Sequence, residues 1–325
     1  MASAGHSQAP HLGWAKRLLG PLHVTGVFWF RVPYWFFTWL PAALTGFMVL
    51  LFTTLFFVTL RRIGAAIAAN LEAALGPAGF LETQCRVYRT MRAFAWCHAE
   101  RYEQLHDRGG FRVAVEGVEH LQALQQPAEG FIFVTAHIGG WESSSRLVSG
   151  HVDRWAHVVR EEELDPRAQA FMERALARHG VVRYTTHFAA NDPRLGIELK
   201  NALQQGHVVA LQADRPRAGG RALGALLFGR ETRLPAGPPT LARTAGVPLL
   251  PVFSFREGRK SYRVVVRPPI RVSQDAEKGQ ALADAAQQLA REIEWAIRER
   301  PHQWFCFGRL WPEVGAGEAR AQPAA

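Results

Sequence analysis

The feature that most constrains the fold is a stretch of 27 residues, 34–60, that contains no charged side chain. As a single helix it is about 40 Å long, which exceeds the roughly 30 Å hydrocarbon core of a bilayer. Tryptophans crowd its first part, and Arg61 and Arg62 follow its last residue, as is typical of headgroup boundaries. We therefore predict an apolar N-terminal membrane helix over 34–60.

Two alternatives to a simple membrane span remain open for this stretch. A helix buried inside the protein has the same composition, and Pro41 and Gly46 leave room for a kinked or re-entrant form. Basic residues lie on both sides, so the positive-inside rule does not fix the orientation. We divide the chain into a membrane-anchoring segment at 1–61, one α/β domain at 62–312 and a disordered tail at 313–325.

Beyond residue 110, short β-rich runs alternate with helical patterns. This alternation predicts an α/β fold, with a mainly parallel mixed sheet flanked by helices and an antiparallel pair late in the chain. An amphipathic helix over 82–106 precedes the sheet. The predicted strands are 111–115, 131–136, 155–159, 207–213, 249–255 and 262–267, and the predicted helices are 141–148, 166–179, 193–205, 237–244 and 276–300.

An imidazole and a carboxylate follow one of these buried strands. His137 and Glu142 lie five residues apart, an offset that turns about 500° around a helix and places them on different helical faces. They meet if His137 lies in a turn bent by two glycines and Glu142 begins the next helix. Glu142 then accepts a hydrogen bond from one ring nitrogen while the other deprotonates a substrate hydroxyl. A structural hydrogen bond is the alternative.

Arg160 and Asp214 also follow predicted strands, and the carboxyl ends of parallel strands meet at one edge of a sheet. Arg160 either binds a phosphate or an oxyanion with its planar fork, or pairs with the acidic residues that follow it. Asp214 and Arg215 form either part of the site or a loop ion pair. We expect His137, Arg160 and Asp214 to converge.

Composition limits the partners. The formal net charge of +10 and pI near 10.2 indicate attraction to polyanions, although scattered arginines select no particular one. The three cysteines form no Cys-x-x-Cys pair and no metal spacing with the thirteen histidines. We expect no metal site and no cofactor.

The His137-to-Glu142 pattern resembles the signature of the lysophospholipid acyltransferase superfamily. The surrounding sequence most resembles its late, lauroyl/myristoyl-type lipid A biosynthesis acyltransferase branch, in matching blocks whose order and spacing extend over residues 60–311. The further blocks are Arg61-Arg62 with Ala69-Asn70-Leu71 and Ala74-Leu75, Val159-Arg160 with Asp165-Pro166, Asp214, Leu227-Phe228-Gly229, Pro235-Ala236-Gly237-Pro238, Gly246 to Val252, and Gln303-Trp304-Phe305 with Arg309 and Trp311.

The resemblance implies a glycerolipid-acyltransferase-like fold and a fatty acyl donor on acyl carrier protein or coenzyme A. It implies a lipid or glycolipid acceptor, a bacterial inner membrane location with the catalytic domain facing the cytoplasm, and no nucleic-acid partner. The implied catalytic residues are His137 and Glu142. The implied substrate-binding residues are Arg160, Asp214, Arg215, Phe228, Gly229 and Gly237, although a plain turn also explains the last three.

Two differences from the wider superfamily reduce the range of acceptor molecules that we expect. Ala136 stands where glycerolipid acyltransferases often carry Asn, and Pro235-Ala236-Gly237 replaces their Pro-Glu-Gly, which makes a glycerol-phosphate acceptor less favoured. No Gly-x-Ser-x-Gly elbow and no complete P-loop occurs, so serine hydrolases and P-loop nucleotide binders are disfavoured. The remaining alternative is a non-catalytic, basic, membrane-tethered scaffold or binding protein.

Overall fold

The computed structural model describes residues 27–39, 41–105, 109–124, 130–141, 152, 154–161, 165–177, 184–188, 194–217 and 219–311. The helices are α1 (Phe28–Trp39), α2 (Ala42–Thr59), α3 (Arg61–Leu75), α4 (Phe80–Leu105), α5 (Val118–Gln122), α6 (Pro166–Ala177), α7 (Leu195–Gln204), α8 (Gly237–Ala245) and α9 (Lys278–Glu299), followed by a 3₁₀ turn at Pro301–Gln303. The strands are β1 (Arg112–Glu116), β2 (Phe131–Thr135), β3 (Ala156–Arg160), β4 (Tyr184–Phe188), β5 (Val208–Gln212), β6 (Ala222–Leu227), β7 (Arg230–Pro235), β8 (Leu249–Gly258) and β9 (Ser261–Val266).

Seven strands form one mixed sheet in the order β1-β9-β8-β2-β5-β3-β4. The run from β8 to β4 is parallel, β9 is antiparallel to β8, and β1 is parallel to β9. The predicted α/β fold with a mainly parallel mixed sheet is therefore confirmed, including the late antiparallel pair. Parallel strands bring the carboxyl ends of β2, β5 and β3 to the same edge, and that edge is where ligands bind in open α/β sheets.

The main core lies between one face of this sheet and helices α7, α8 and α9. Helix α9 shows why the sequence forms this layer, because its buried residues recur every three or four positions and build one apolar stripe. The Glu277 side chain caps it by accepting a hydrogen bond from the backbone N–H of Gln280. The opposite sheet face carries a smaller cluster, comprising Leu121, Leu124, Phe131, Val208, Leu250 and Val266.

Six predicted strands and four predicted helices of the sheet region occur within a few residues of their expected bounds. The predictions omitted β4 and assigned no strand within 222–235, whereas these residues form the β6–β7 hairpin. The helix predicted over 141–148 lies outside the described residues from 142 onward, as does the tail at 313–325.

The structure divides the stretch 34–60, for which a single helix or a kinked form was expected, between two helices. The stretch contains the end of α1 and then α2, and α2 begins only after Pro41. Proline lacks the N–H that a helix interior requires, which explains why α2 begins after Pro41. No single helix in the described part of the chain is long and apolar enough to cross a membrane, although the 44–59 and 61–75 segments together pass that criterion, with a bend of 91° between them.

Helices α2 and α4 pack against each other in antiparallel directions. The Thr54 and Tyr88 hydroxyls are 3.3 Å apart, the Phe57 and Tyr88 rings are in edge contact, and Gly46 faces the ring of Trp96. The other side of α2 is exposed and apolar, with Leu44, Phe47, Leu50, Leu51, Phe52, Leu55 and Val58 accessible. Helix α2 is therefore neither buried on all sides nor free of the domain.

Candidate active site

His137 lies in the turn that follows β2, at the carboxyl edge of the sheet. The closing segment of the chain fixes this turn through its backbone. The N–H of Gly139 donates to the carbonyl of Gln303 at 2.9 Å, and the N–H of Phe305 donates to the carbonyl of His137 at 2.8 Å. Ile138 also bridges to Trp304. These bonds set the position of the imidazole on a rigid frame.

Close approach explains the two glycines of this turn. Gly139 adopts φ +55°, and a Cβ there would overlap the carbonyl oxygen of Ser254. A Cβ on Gly140 would overlap the ring of Tyr262. The Tyr262 hydroxyl donates in turn to the buried carboxylate of Glu100 at 2.6 Å, which ties the turn to helix α4. The glycines therefore allow the backbone after His137 to pass tightly over β8 and β9.

Asp214 is the carboxylate that contacts His137. His137 Nδ1 and Asp214 Oδ1 are 2.7 Å apart. The pairing follows from the sheet, because β2 and β5 are neighbours with Thr135 level with Gln212, so His137 and Asp214 each lie two residues beyond the aligned pair. The indole N–H of Trp304 reaches the other oxygen of Asp214 at 3.4 Å.

Electrostatics keep the carboxylate of Asp214 ionised. Asp214 is fully buried, and burial alone would raise its pKa, but the charge and hydrogen bonds of His137, with a contribution from Arg215, lower that pKa to about 2. A carboxylate at 2.7 Å accepts the proton that Nδ1 carries, so the lone pair of a neutral ring lies on Nε2. Nε2 has no hydrogen-bond partner among the described residues, and the side chain is about a quarter exposed. The arrangement can take a proton from a bound hydroxyl.

Sheet alternation places these groups on one face. Val134, Ala136 and Ile138 belong to the main core on the α9 side, as does Ala213, so His137 and Asp214 project from the opposite face. Val159 also packs against the main core, which assigns Arg160, the last residue of β3, to the same face as His137.

The remaining predicted site residues have other positions. Arg215 donates to the carbonyl of Phe305 at 3.1 Å. Phe228 and Gly229 form the β6–β7 turn with positive φ at both, and the N–H of Phe228 donates to Glu294 of α9 at 2.7 Å. Gly237 is the first residue of α8, and a Cβ added there would have no atom within 4 Å. Their proposed contacts to substrate stay predictions.

Glu142 lies outside the described residues, so its predicted bond to His137 stays a prediction. Sequence reasoning found Asp214 but not its direct contact with His137, and it gave Trp304 no role at the site. The signal available was the position of Asp214 immediately after a buried strand. Among the described residues, no group of three or more His, Cys, Asp or Glu side chains could hold a metal ion.

Two comparisons bear on this site. A family model described as bacterial lipid A biosynthesis acyltransferase matches residues 22–313. A phosphatidylinositol mannoside acyltransferase from Mycolicibacterium smegmatis is 25% identical over 259 residues, which is 78% of this chain and 81% of that protein. Both descriptions name an acyltransferase, which excludes the scaffold alternative.

Proposed function

This chain belongs to the bacterial lipid A biosynthesis acyltransferase family and is an acyltransferase, and we propose that it transfers a fatty acyl chain from an acyl thioester to a hydroxyl of a glycolipid. The thioester is carried by acyl carrier protein or coenzyme A, and the transfer is of the late, lauroyl/myristoyl type. The single observation that supports this chemistry most is the bond between His137 and the buried, ionised Asp214.

His137 acts as the general base. Its Nε2 removes the proton from the acceptor hydroxyl as the oxygen attacks the thioester carbonyl. The new oxygen–carbon bond forms, the carbon–sulfur bond breaks, and the proton passes from the imidazole to the departing thiolate. Asp214 keeps the proton of the neutral ring on Nδ1 and stabilises the imidazolium that forms, as carboxylates do beside catalytic histidines. No covalent acyl-enzyme is needed.

The enzyme binds its amphiphilic acceptor and its acyl donor at a membrane surface. The exposed apolar side of α2 supports this part of the proposal, since contiguous exposed apolar surface marks contact with membranes or other proteins. The net charge of +10 favours an anionic lipid surface. We place the enzyme at the cytoplasmic face of the bacterial inner membrane, where activated acyl thioesters are available.

The decisive experiment replaces His137 with Ala. The purified variant and the wild type are incubated with radiolabelled dodecanoyl acyl carrier protein or dodecanoyl-coenzyme A, with a cellular glycolipid extract as acceptor. We expect the variant to retain its fold by circular dichroism and to lose at least about 1000-fold in turnover, as is usual when a general base is removed from an oriented pair. Undiminished transfer would contradict the mechanism.

Mass spectrometry of lipids from cells with and without the gene identifies the acceptor. A mass difference of one acyl group on lipid A supports the late-acylation assignment. The same mass difference on another glycolipid would support acyl transfer but would show that lipid A is not the acceptor. The similar mycobacterial protein is named for such an acceptor, a phosphatidylinositol mannoside.

A further inference from the structure

Gln212, the last residue of β5, has an unsatisfied side chain. Its amide nitrogen is buried and has no hydrogen-bond partner among the described residues. The side chain level with it on β2 is Thr135, whose hydroxyl instead donates to the carbonyl of Ala136 at 3.4 Å. A buried amide without a partner costs about 1–3 kcal/mol, and an ordered water or a ligand oxygen that accepts its hydrogen bond offsets this cost.

Gln212 lies on the same face of the sheet as His137, on the neighbouring strand. Val209 and Ala213 belong to the main core on the α9 side, so Gln212 projects from the opposite face, together with Asp214 and His137. Gln212 is level with Thr135, and His137 lies two residues farther along the same direction. One strand spacing of about 4.8 Å and a two-residue advance of about 7 Å therefore separate the backbones of Gln212 and His137.

This spacing fits the two ends of an acyl-transfer centre. The attacking oxygen must lie about 2.6–3.2 Å from the base, and an oxyanion donor must lie about 2.7–3.1 Å from the oxygen on which charge develops. Those two oxygens belong to the same tetrahedral carbon, so the base and the donor must be several ångströms apart, with both aimed at the space between them. A neutral amide N–H meets the electrostatic requirement without transferring a proton.

We propose that Gln212 is the oxyanion donor of the reaction: its side-chain N–H hydrogen-bonds the carbonyl oxygen of the acyl thioester as the tetrahedral centre forms over His137. The proposal rests on the proposed acyl transfer and assigns one additional catalytic group to it. The bonds that form and break are those given above, and the hydrogen bond from Gln212 strengthens as negative charge moves onto the carbonyl oxygen.

Arg160 is the other donor at this edge. The register of β3 and β5 aligns Val158 with Ala210, which makes Arg160 level with Gln212 on the strand that is farther from His137. Gln212 therefore lies between the base and the arginine. From this order we assign the thioester carbonyl oxygen to the Gln212 amide, because Arg160 is farther from the base.

The test measures kcat and KM for dodecanoyl-coenzyme A and for dodecanoyl acyl carrier protein in Gln212→Leu and Gln212→Glu. Gln212→Leu removes the donor, and Gln212→Glu keeps the shape but substitutes a negatively charged acceptor at neutral pH. We expect kcat to fall about 100-fold or more in both, with KM within about threefold of wild type, because an oxyanion donor acts mainly in the transition state. The matched control is Gln204→Leu, at an exposed glutamine that ends α7.

Three outcomes overturn the proposal. They are a kcat within about threefold of wild type for Gln212→Leu, an effect confined to KM, or an equal loss in Gln204→Leu. If Gln212→Leu does not fold, the nearly isosteric Gln212→Glu decides by the same criteria. The parallel assay of His137→Ala distinguishes a failure of the proposed acyl-transfer mechanism from a failure of the Gln212 assignment. Retained turnover in His137→Ala would contradict the mechanism itself. Lost turnover in His137→Ala together with full activity in Gln212→Glu would contradict only the oxyanion role of Gln212.

Discussion

His137 is fixed on three sides, by the backbone of residues 303–305, by Asp214 at Nδ1 and by the tight turn that follows it. Nε2 is the ring nitrogen that none of these contacts involves. A base that is positioned before substrate arrives needs little reorganisation during the reaction, which is the main benefit of an oriented imidazole. Trp304 contributes by holding the second oxygen of Asp214, so the carboxylate presents its first oxygen to the ring.

The two candidate carboxylates of His137 can be ranked by conservative amide substitutions. Because Asp214 contacts Nδ1 directly, Asp214→Asn should lower kcat at least about 100-fold by removing the acceptor that sets the tautomer. Glu142→Gln should cost less if Asp214 is the orienting acid. Steady-state assays with a labelled thioester, together with circular dichroism, measure both. The reverse order would return the orienting role to Glu142.

Acid should weaken the fold through Asp214. Its pKa is lowered from 3.8 to about 2 in the folded protein, so its contribution to stability is complete above about pH 4 and is lost as the pH falls towards 2. Between pH 5 and pH 2, the free energy of unfolding of the wild type should therefore fall by about 2 kcal/mol more than that of Asp214→Asn. Urea unfolding at the two pH values measures this difference, and equal losses in both proteins would contradict it.

At the scale of elements, the segment after α9 connects the site to the rest of the domain. The amide of Gln303 donates to the carbonyl of Arg256 and accepts from its N–H, each at 2.8 Å, so a side chain extends the pairing of β8. Arg256 also pairs with the fully buried Glu100 of α4. Removing one partner of a buried pair is strongly destabilising. Helix α4, β8 and the turn of His137 therefore form one connected unit.

Gly140→Ala should displace this unit. The added methyl overlaps the Tyr262 ring, which Glu100 holds in place, so either the ring or the turn must move. We expect destabilisation of about 1–3 kcal/mol, the usual range for overpacking, and at least about a tenfold fall in kcat, since small displacements of a base are costly. Thermal unfolding and turnover assays measure the two effects.

Gly196→Ala is the matched control for that change. Gly196 lies in the first turn of α7, where an added Cβ meets nothing within 4 Å. Alanine is the better helix former, so this variant should be at least as stable as wild type and equally active. A loss of the same size in both variants would show that the Gly140 effect is not specific to the turn.

At the scale of the whole molecule, most of the exposed large apolar side chains of the described residues lie on α1, on α2 and at the start of α4. Because α2 and α4 are antiparallel, the C-terminal end of α2 lies beside the start of α4, where Phe80 and Leu81 are 76% and 81% exposed. The exposed Arg61 and Arg62 begin α3, one residue beyond the end of α2. Apolar side chains bordered by cations suit the boundary between acyl chains and anionic headgroups.

The double variant Phe80→Ser/Leu81→Ser should bind membranes less tightly. Each buried large apolar side chain contributes about 1.5–3 kcal/mol, so the affinity for phosphatidylethanolamine and phosphatidylglycerol vesicles should fall at least about tenfold in a flotation assay. Ile197→Ser is the control, because Ile197 is 62% exposed on α7, away from α2 and α4. Unchanged flotation of the double variant would exclude this contact.

Local patterns explain which parts of the fold were predictable. Helix α9 has a clear apolar period and a capping Glu277, and β2 is a continuous apolar run followed by His137, so both were identified close to their bounds. Strand β4 was missed because Tyr184–Phe188 carries mostly polar side chains at the sheet edge. The β6–β7 hairpin was missed because its two-residue Phe228-Gly229 turn lacks the usual Asn-Gly or Asp-Gly signal.

The sequence by itself determined the alternation of strands and helices, the position of His137 at a strand end and the apolar character of α2, because each depends on residues adjacent in the chain. Only the tertiary structure decided that Asp214 contacts His137 and that Trp304 contacts Asp214, since these partners lie 77 and 90 residues apart along the chain. Strand order and register bring them together. Those are set by the packing of the whole sheet, which local periodicity does not encode.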